Sequence, residues 1–213
     1  MTPSDFGQLT ETDVRIDRSG PLLEGRLHAG SGKLAAVVLH PHPQYGGDMH
    51  NHVVVAICEA LAAAGASTLR FNFRGTGASE GTYDGGRGEV DDAVAAVATS
   101  RAAHPDARVI LIGYSFGAIV AANAAMREPE LAALALVSPP LAMAPLPQFR
   151  AGLPVLLVTG ELDQIAPAAA LTEHAETCAV RLVAGADHGW WPGIDELTGH
   201  LTAFIQGLEA GGD

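Results

Sequence analysis

Short apolar runs alternate along the chain with segments of helical period, and glycine or proline separates them. Residues 109–112 are apolar without alternation, which is how a strand buried on both faces reads. Further strands are predicted over 34–39, 68–73, 131–137, 155–159 and 180–183. Between them lie helical patterns. Residues 48–64 carry Val53, Ile57 and Leu61 four apart on one face, with Gly65 as terminator. Residues 89–103 open on Glu89, Asp91 and Asp92, as a helix dipole favours, and stop at His104-Pro105. A small-residue helix runs to Ala122, and a short helix is predicted over 168–177. The last helix, 195–208, places Leu197, Leu201, Phe204, Ile205 and Leu208 on one face.

The N-terminal part reads differently. Residues 1–12 are polar and unpatterned, a loosely ordered lead-in. Val14 and Ile16 then alternate with Arg15 and Asp17, Ser19-Gly20-Pro21 signals a turn, and 22–28 forms a second strand. This predicts an antiparallel hairpin at one sheet edge. A hairpin followed by strand–helix alternation means an α/β fold: a mostly parallel, doubly wound sheet of about eight strands with helices on both faces. No composition break divides the chain, so residues 1–213 are expected to form one domain. In such sheets chemistry collects outside the carboxyl ends of the strands.

Composition narrows the partners. Of 213 residues, 48% are hydrophobic and 17% charged, with a formal net charge of −12. Lys33 is the sole lysine beside the arginines, and no basic stripe exists. Nucleic acid and anionic membrane surfaces are therefore not expected as partners. Met1 to Gln8 lacks a basic and apolar leader, and no apolar run reaches the roughly 18 residues of a membrane span. Cys58 and Cys178 sit in apolar surroundings and read as small core hydrophobes. A reducing cytoplasm is the expected compartment. Oligomeric state stays open.

Candidate chemistry centres on Gly113-Tyr114-Ser115-Phe116-Gly117, set between the strand at 109–112 and the small-residue helix. Strand, G-x-S-x-G, helix is the context of a nucleophile elbow. The serine needs strained backbone on a sharp turn, and the glycines let strand and helix approach closely. A serine needs a base, and His188, in a glycine-containing loop after the last strand, can titrate near neutral pH. His174 and His200 lie in helices with no strand behind them. Asp163, a few residues past the strand at 155–159, can hold the other imidazole nitrogen. It competes with Glu161 and with Asp187, which adjoins the histidine. An oxyanion hole needs two N–H donors. Phe116 follows the nucleophile and supplies the first. The second should come from the loop after residue 39, where Pro41 and Pro43 have no N–H and leave His42. His40, His42, His50 and His52 form H-x-H pairs, but no Cys, Asp or Glu completes a ligand set. His50 and His52 would also face apart on a helix. Neither metal nor cofactor is expected. Gly75-x-Gly77 is no dinucleotide fingerprint, lacking the third glycine and a helix start. Trp190-Trp191 suits either a pocket wall or a core cap.

Ser115, Asp163 and His188 occur in the chain order of the α/β-hydrolase superfamily, which the sequence resembles from about residue 13 to 209. Asn72-Phe-Arg-Gly-Thr-Gly-Ala-Ser79 resembles the D-x-R-G-x-G-x-S stretch of that superfamily, with Asn72 for the usual Asp. His40-Pro-His-Pro-Gln-Tyr-Gly-Gly-Asp-Met49, followed by His-Asn-His-Val-Val54, is similar to small bacterial serine carboxylesterases related to dienelactone hydrolase. Dienelactone hydrolases use cysteine where this chain has Ser115, so that activity is not implied. Little chain separates Pro140 from Pro154, so the resemblance implies an enzyme without a large cap, with an open pocket for short acyl esters. The expected function is cleavage of small carboxylic esters through an acyl-enzyme. A thioesterase or peptidase with the same three residues is the alternative within enzymes, and a non-catalytic scaffold the alternative outside them.

Overall fold

The structure, a computed structural model, describes residues 9–17 and 20–210. Eight strands form one sheet: β1 (Thr12–Ile16), β2 (Leu23–His28), β3 (Leu34–Leu39), β4 (Ser67–Phe71), β5 (Arg108–Tyr114), β6 (Ala133–Val137), β7 (Val155–Gly160) and β8 (Ala179–Val183). Their order is β1-β2-β4-β3-β5-β6-β7-β8. The β1–β2 and β2–β4 pairs are antiparallel, and the rest are parallel. The α/β expectation and the edge hairpin therefore hold; the turn at Ser19 begins outside the described residues.

Five helices cover the faces: α1 (His52–Ala63), α2 (Arg87–Ala103), α3 (Phe116–Ala125), α4 (Ala168–Thr172) and α5 (Ile194–Ala210). Successive strand residues point to opposite faces, so β3 feeds two cores. Leu34, Ala36 and Val38 pack with Val53, Ile57 and Leu61 of α1 and Leu197 and Leu201 of α5. Ala35, Val37 and Leu39 pack with Ala93 and Val97 of α2 and Ala118 and Ala121 of α3. Burial on both faces explains why these strands read as unbroken apolar runs.

Several boundaries differ from expectation, those of α1, β4 and α4 among them. The first helix begins at His52, not 48, because Asp48 accepts from the His50 N–H and Asn51 caps Val53. Those side-chain bonds make residues 48–51 a turn. β4 stops at Phe71: the Asn72 N–H still reaches Glu24 O of β2, but the Phe73 N–H leaves the sheet and donates to His40 Nε2. α4 ends at Thr172, and the chain to Cys178 continues as turns. The lead-in is also corrected from residue 9 onward. Leu9 packs on the core, Thr10 O accepts from His28, and Glu11 forms a bidentate pair with Arg70. Residues 1–8 lie outside the described residues.

Candidate active site

β5 turns into α3 at Ser115, whose backbone sits at φ 55° and ψ −118°. Such a conformation costs about 1–3 kcal/mol and persists only where its surroundings enforce it. The two glycines permit it. A Cβ on Gly113 would collide with the Gly117 carbonyl, and one on Gly117 would lie 2.6 Å from the Leu39 and His40 carbonyls. Among the described residues only Ser138 and Trp190 share a positive φ outside glycine. The two are paired, Trp190 Nε1 donating to Ser138 Oγ.

Ser115 Oγ is 2.9 Å from His188 Nε2, and His188 Nδ1 is 2.9 Å from Asp163 Oδ2. An ionised carboxylate only accepts, so Nδ1 carries the proton and Nε2 is free to accept from the serine. Asp163 also accepts from the Ile165 and Ala166 amides at 2.9 and 2.8 Å. Burial pushes its carboxyl up, but the His188 bond and the Ala166 amide outweigh it and hold it at about 2. Asp163 thus serves as a turn cap and as the imidazole's partner together. Glu161 reaches the Gly185 amide instead, and Asp187 caps Gly189.

Ser115 and His188 open on a cavity of about 540 Å³. Phe116 begins α3, so its N–H has no partner within the helix. His42 lines the same cavity, and among the described residues its N–H has no hydrogen-bond partner. Its ring packs against Tyr45, Tyr83 and Phe116 at centroid separations of 4.8, 5.1 and 4.8 Å. His42 Nδ1 accepts from the Gln44 N–H, so Nε2 carries hydrogen and donates to Tyr83 OH at 3.1 Å. Burial lowers the pKa of this imidazole, with Glu89 opposing. The segments at 81–88 and 141–153, expected as pocket walls, contribute Tyr83, Gly85, Gly86, Met143 and Ala144.

A family model described as serine aminopeptidase, S33, matches residues 33–152. A solved protein of unknown function from Agrobacterium tumefaciens is 31% identical, with 94% of this chain and 98% of that chain covered and a TM-score of 0.83. The chain belongs to the S33 family of α/β hydrolases. A serine hydrolase from Xanthomonas campestris, described as having no lid, is 28% identical over 94% of this chain and 95% of its own, with a TM-score of 0.83. An uncharacterized protein of Rickettsia prowazekii is 43% identical over 122 residues, 56% of this chain and 51% of that protein. The chain thus spans about half the length of this curated relative. Among the described residues this chain has no large cap: residues 138–154, between β6 and β7, form turns and loop.

Sequence reasoning left several residues of the hydrolase unassigned, and each now has a partner. The second tryptophan, Trp191, is exposed and stacks on His52 at 4.1 Å. Trp190 is fully buried and donates to Ser138 Oγ at 3.0 Å. Neither lines the cavity. His52 also contacts the Gly189 carbonyl at 2.8 Å, and Tyr114 OH donates to the His188 carbonyl at 2.6 Å. The loop that carries His188 is therefore held from α1, from β5 and from Ser138. His50 precedes α1 and lies 3.3 Å from Arg70, so the argument from opposed helix faces does not apply to it. No sequence pattern signals these contacts, because their partners lie 20 to 139 residues away. The Asn72 departure is also explained. Its Oδ1 accepts from Met49 N–H, and its Nδ2 donates to Glu24 Oε1 at 2.7 Å. An aspartate there would face Glu24 with a second carboxylate.

Proposed function

We propose that the hydrolase cleaves small carboxylic esters through an acyl-enzyme, with Ser115 as nucleophile, His188 as general base and acid, and Asp163 as its orienting carboxylate. The observation that carries the reading is the unbroken hydrogen-bond chain from Ser115 Oγ, at the cavity wall, through His188 to the buried Asp163. Ser115 Oγ attacks the acyl carbon as its proton passes to His188 Nε2. The leaving alcohol departs with that proton, and water repeats the sequence to release the acid. Phe116 and His42 N–H groups hold the oxyanion. No cofactor takes part.

The pocket supports a neutral, short substrate. Ile119, Met143 and Ile165 supply apolar wall, and among the described lining residues none is Asp, Glu, Lys or Arg. The family description favours a second reading, an aminopeptidase. That activity needs an acceptor for the substrate ammonium, which a wall without carboxylates does not offer. A thioester would meet the same machinery. Two free, buried cysteines suit a reducing cytoplasm.

A serine-directed fluorophosphonate probe tests the reading. Wild type is expected to label and Ser115→Ala not to. No labelling of folded wild-type protein would leave only a non-catalytic scaffold. A panel of acetyl and butyryl esters, thioesters and aminoacyl anilides then ranks the substrate classes, with esters expected first.

A further inference from the structure

His40 stands immediately before the proposed oxyanion loop, at the end of β3, and is 0% exposed. Both of its ring nitrogens are engaged. Nε2 lies 3.1 Å from the Phe73 N–H, which can only donate, so Nε2 is unprotonated. Nδ1 therefore carries the hydrogen and donates it to the Pro41 carbonyl at 2.7 Å. Burial lowers the imidazole's pKa to about 4, against the Pro41 bond and Asp48, so the ring is neutral near pH 7. The Phe73 ring at 4.6 Å braces it further.

The Pro41 carbonyl and the His42 N–H belong to one planar peptide. No peptide in the described chain is cis, so the two groups point in opposite directions. Pinning the carbonyl pins the amide. The other side is closed as well: a Cβ on Gly47 would collide with the Pro41 carbonyl. The next carbonyl, His42 O, accepts from the Tyr45 and Gly47 amides at 3.1 and 3.0 Å. The His42 N–H is thus held between two tethered carbonyls, has no partner of its own among the described residues, and belongs to the wall that holds Ser115 and Phe116.

The geometry points to His40 as a positioning residue of the oxyanion hole, which aims the His42 N–H by gripping the Pro41 carbonyl. This rests on the reading of His42 as the second donor. The physical reason is preorganisation: a donor stabilises developing charge only if it is aimed before the charge appears.

Two isosteres separate this role from a merely structural one. His40→Gln keeps an acceptor near Nε2 for Phe73 and withdraws the donor from Pro41. His40→Asn keeps a donor near Nδ1 for Pro41 and withdraws the acceptor from Phe73. With p-nitrophenyl butyrate, His40→Gln is expected to lose roughly 10- to 100-fold in kcat with KM nearly constant. Its affinity for an arylboronic acid, which forms a tetrahedral serine adduct, should fall in parallel. His40→Asn should melt earlier yet recover most of that kcat. In a His42→Pro background, which has no N–H to aim, His40→Gln should cost nothing further. Equal kcat in His40→Gln and wild type, equal losses in both isosteres, or losses that multiply with His42→Pro each overturn the proposal. If His42→Pro matches His42→Ala, the oxyanion reading itself falls; if His42→Pro is impaired and His40→Gln is not, only the His40 role falls. Should the variants not fold, ¹⁵N imidazole spectra of wild type decide: an Nδ1–H tautomer for His40 is expected at pH 6 to 8, and an Nε2–H tautomer refutes the grip.

Discussion

His42→Pro removes the backbone hydrogen proposed to hold the oxyanion and keeps the backbone path. His42 sits at φ −58° and ψ 120°, which a proline ring adopts without strain. Its N–H has no partner among the described residues, so the loss of that N–H costs folding no hydrogen bond. The substitution also deletes the imidazole, with its contacts to Tyr45, Tyr83 and Phe116. His42→Ala deletes the same imidazole but keeps the N–H, and the ratio of the two isolates the donor. Losing one oxyanion donor costs about 10²- to 10³-fold in kcat, or ~3–4 kcal/mol of barrier. Aromatic pairs of this kind contribute about 0.5–1.5 kcal/mol each beyond burial, and that loss is common to both variants. Steady-state kcat with p-nitrophenyl butyrate, beside circular dichroism and melting curves, makes the comparison. His42→Pro should melt within about 3 °C of His42→Ala, a difference near 1 kcal/mol or less, and turn over about a hundredfold more slowly. A kcat within threefold of His42→Ala, in a folded protein, would refute the assignment of this amide.

Acid should weaken the fold through His40. Its folded pKa, about 4, lies below the unfolded 6.5, so the unfolded chain takes the proton more readily. The contribution is complete above pH 6.5, falls as pH drops from 6.5 to about 4, and amounts to about 3 kcal/mol. Urea midpoints of wild type minus those of His40→Gln should follow that window; a flat difference contradicts it. Asp163 adds a second loss only below pH 3.8, as pH falls toward about 2. Asn72→Asp should destabilise by about 1–3 kcal/mol, because it sets a carboxylate against Glu24 and forfeits a donor. Glu24→Gln should restore much of that loss, and urea denaturation of the double variant reads it.

Local order was legible because its causes are local. The strands at β3, β5, β6 and β7 could be found from unbroken apolar runs, since two covered faces leave no polar alternation. Ser115 could be found because an elbow needs small residues at fixed offsets. Asp163 and His188 followed from their places past strand ends, and His42 because prolines flank it. The sheet order and the meeting of Ser115, His188 and Asp163 across 73 and 25 residues are tertiary facts that the α/β pattern anticipated.

The chain's linear order could not tell which buried polar group answers which. His40 has no assigned role in the sequence until Phe73, 33 residues away, occupies one nitrogen. Asn72 reads as a departure until Glu24 stands opposite it. Trp190 and Trp191 are neighbours of one type, and only packing sends the first into the core against Ser138 and the second onto His52. Hydrophobic period and turn chemistry act over a few residues, so they determined elements, fold class and the proposed nucleophile. Hydrogen-bond pairing of desolvated groups depends on three-dimensional proximity, so only the folded chain decided how the loops of the candidate site are held.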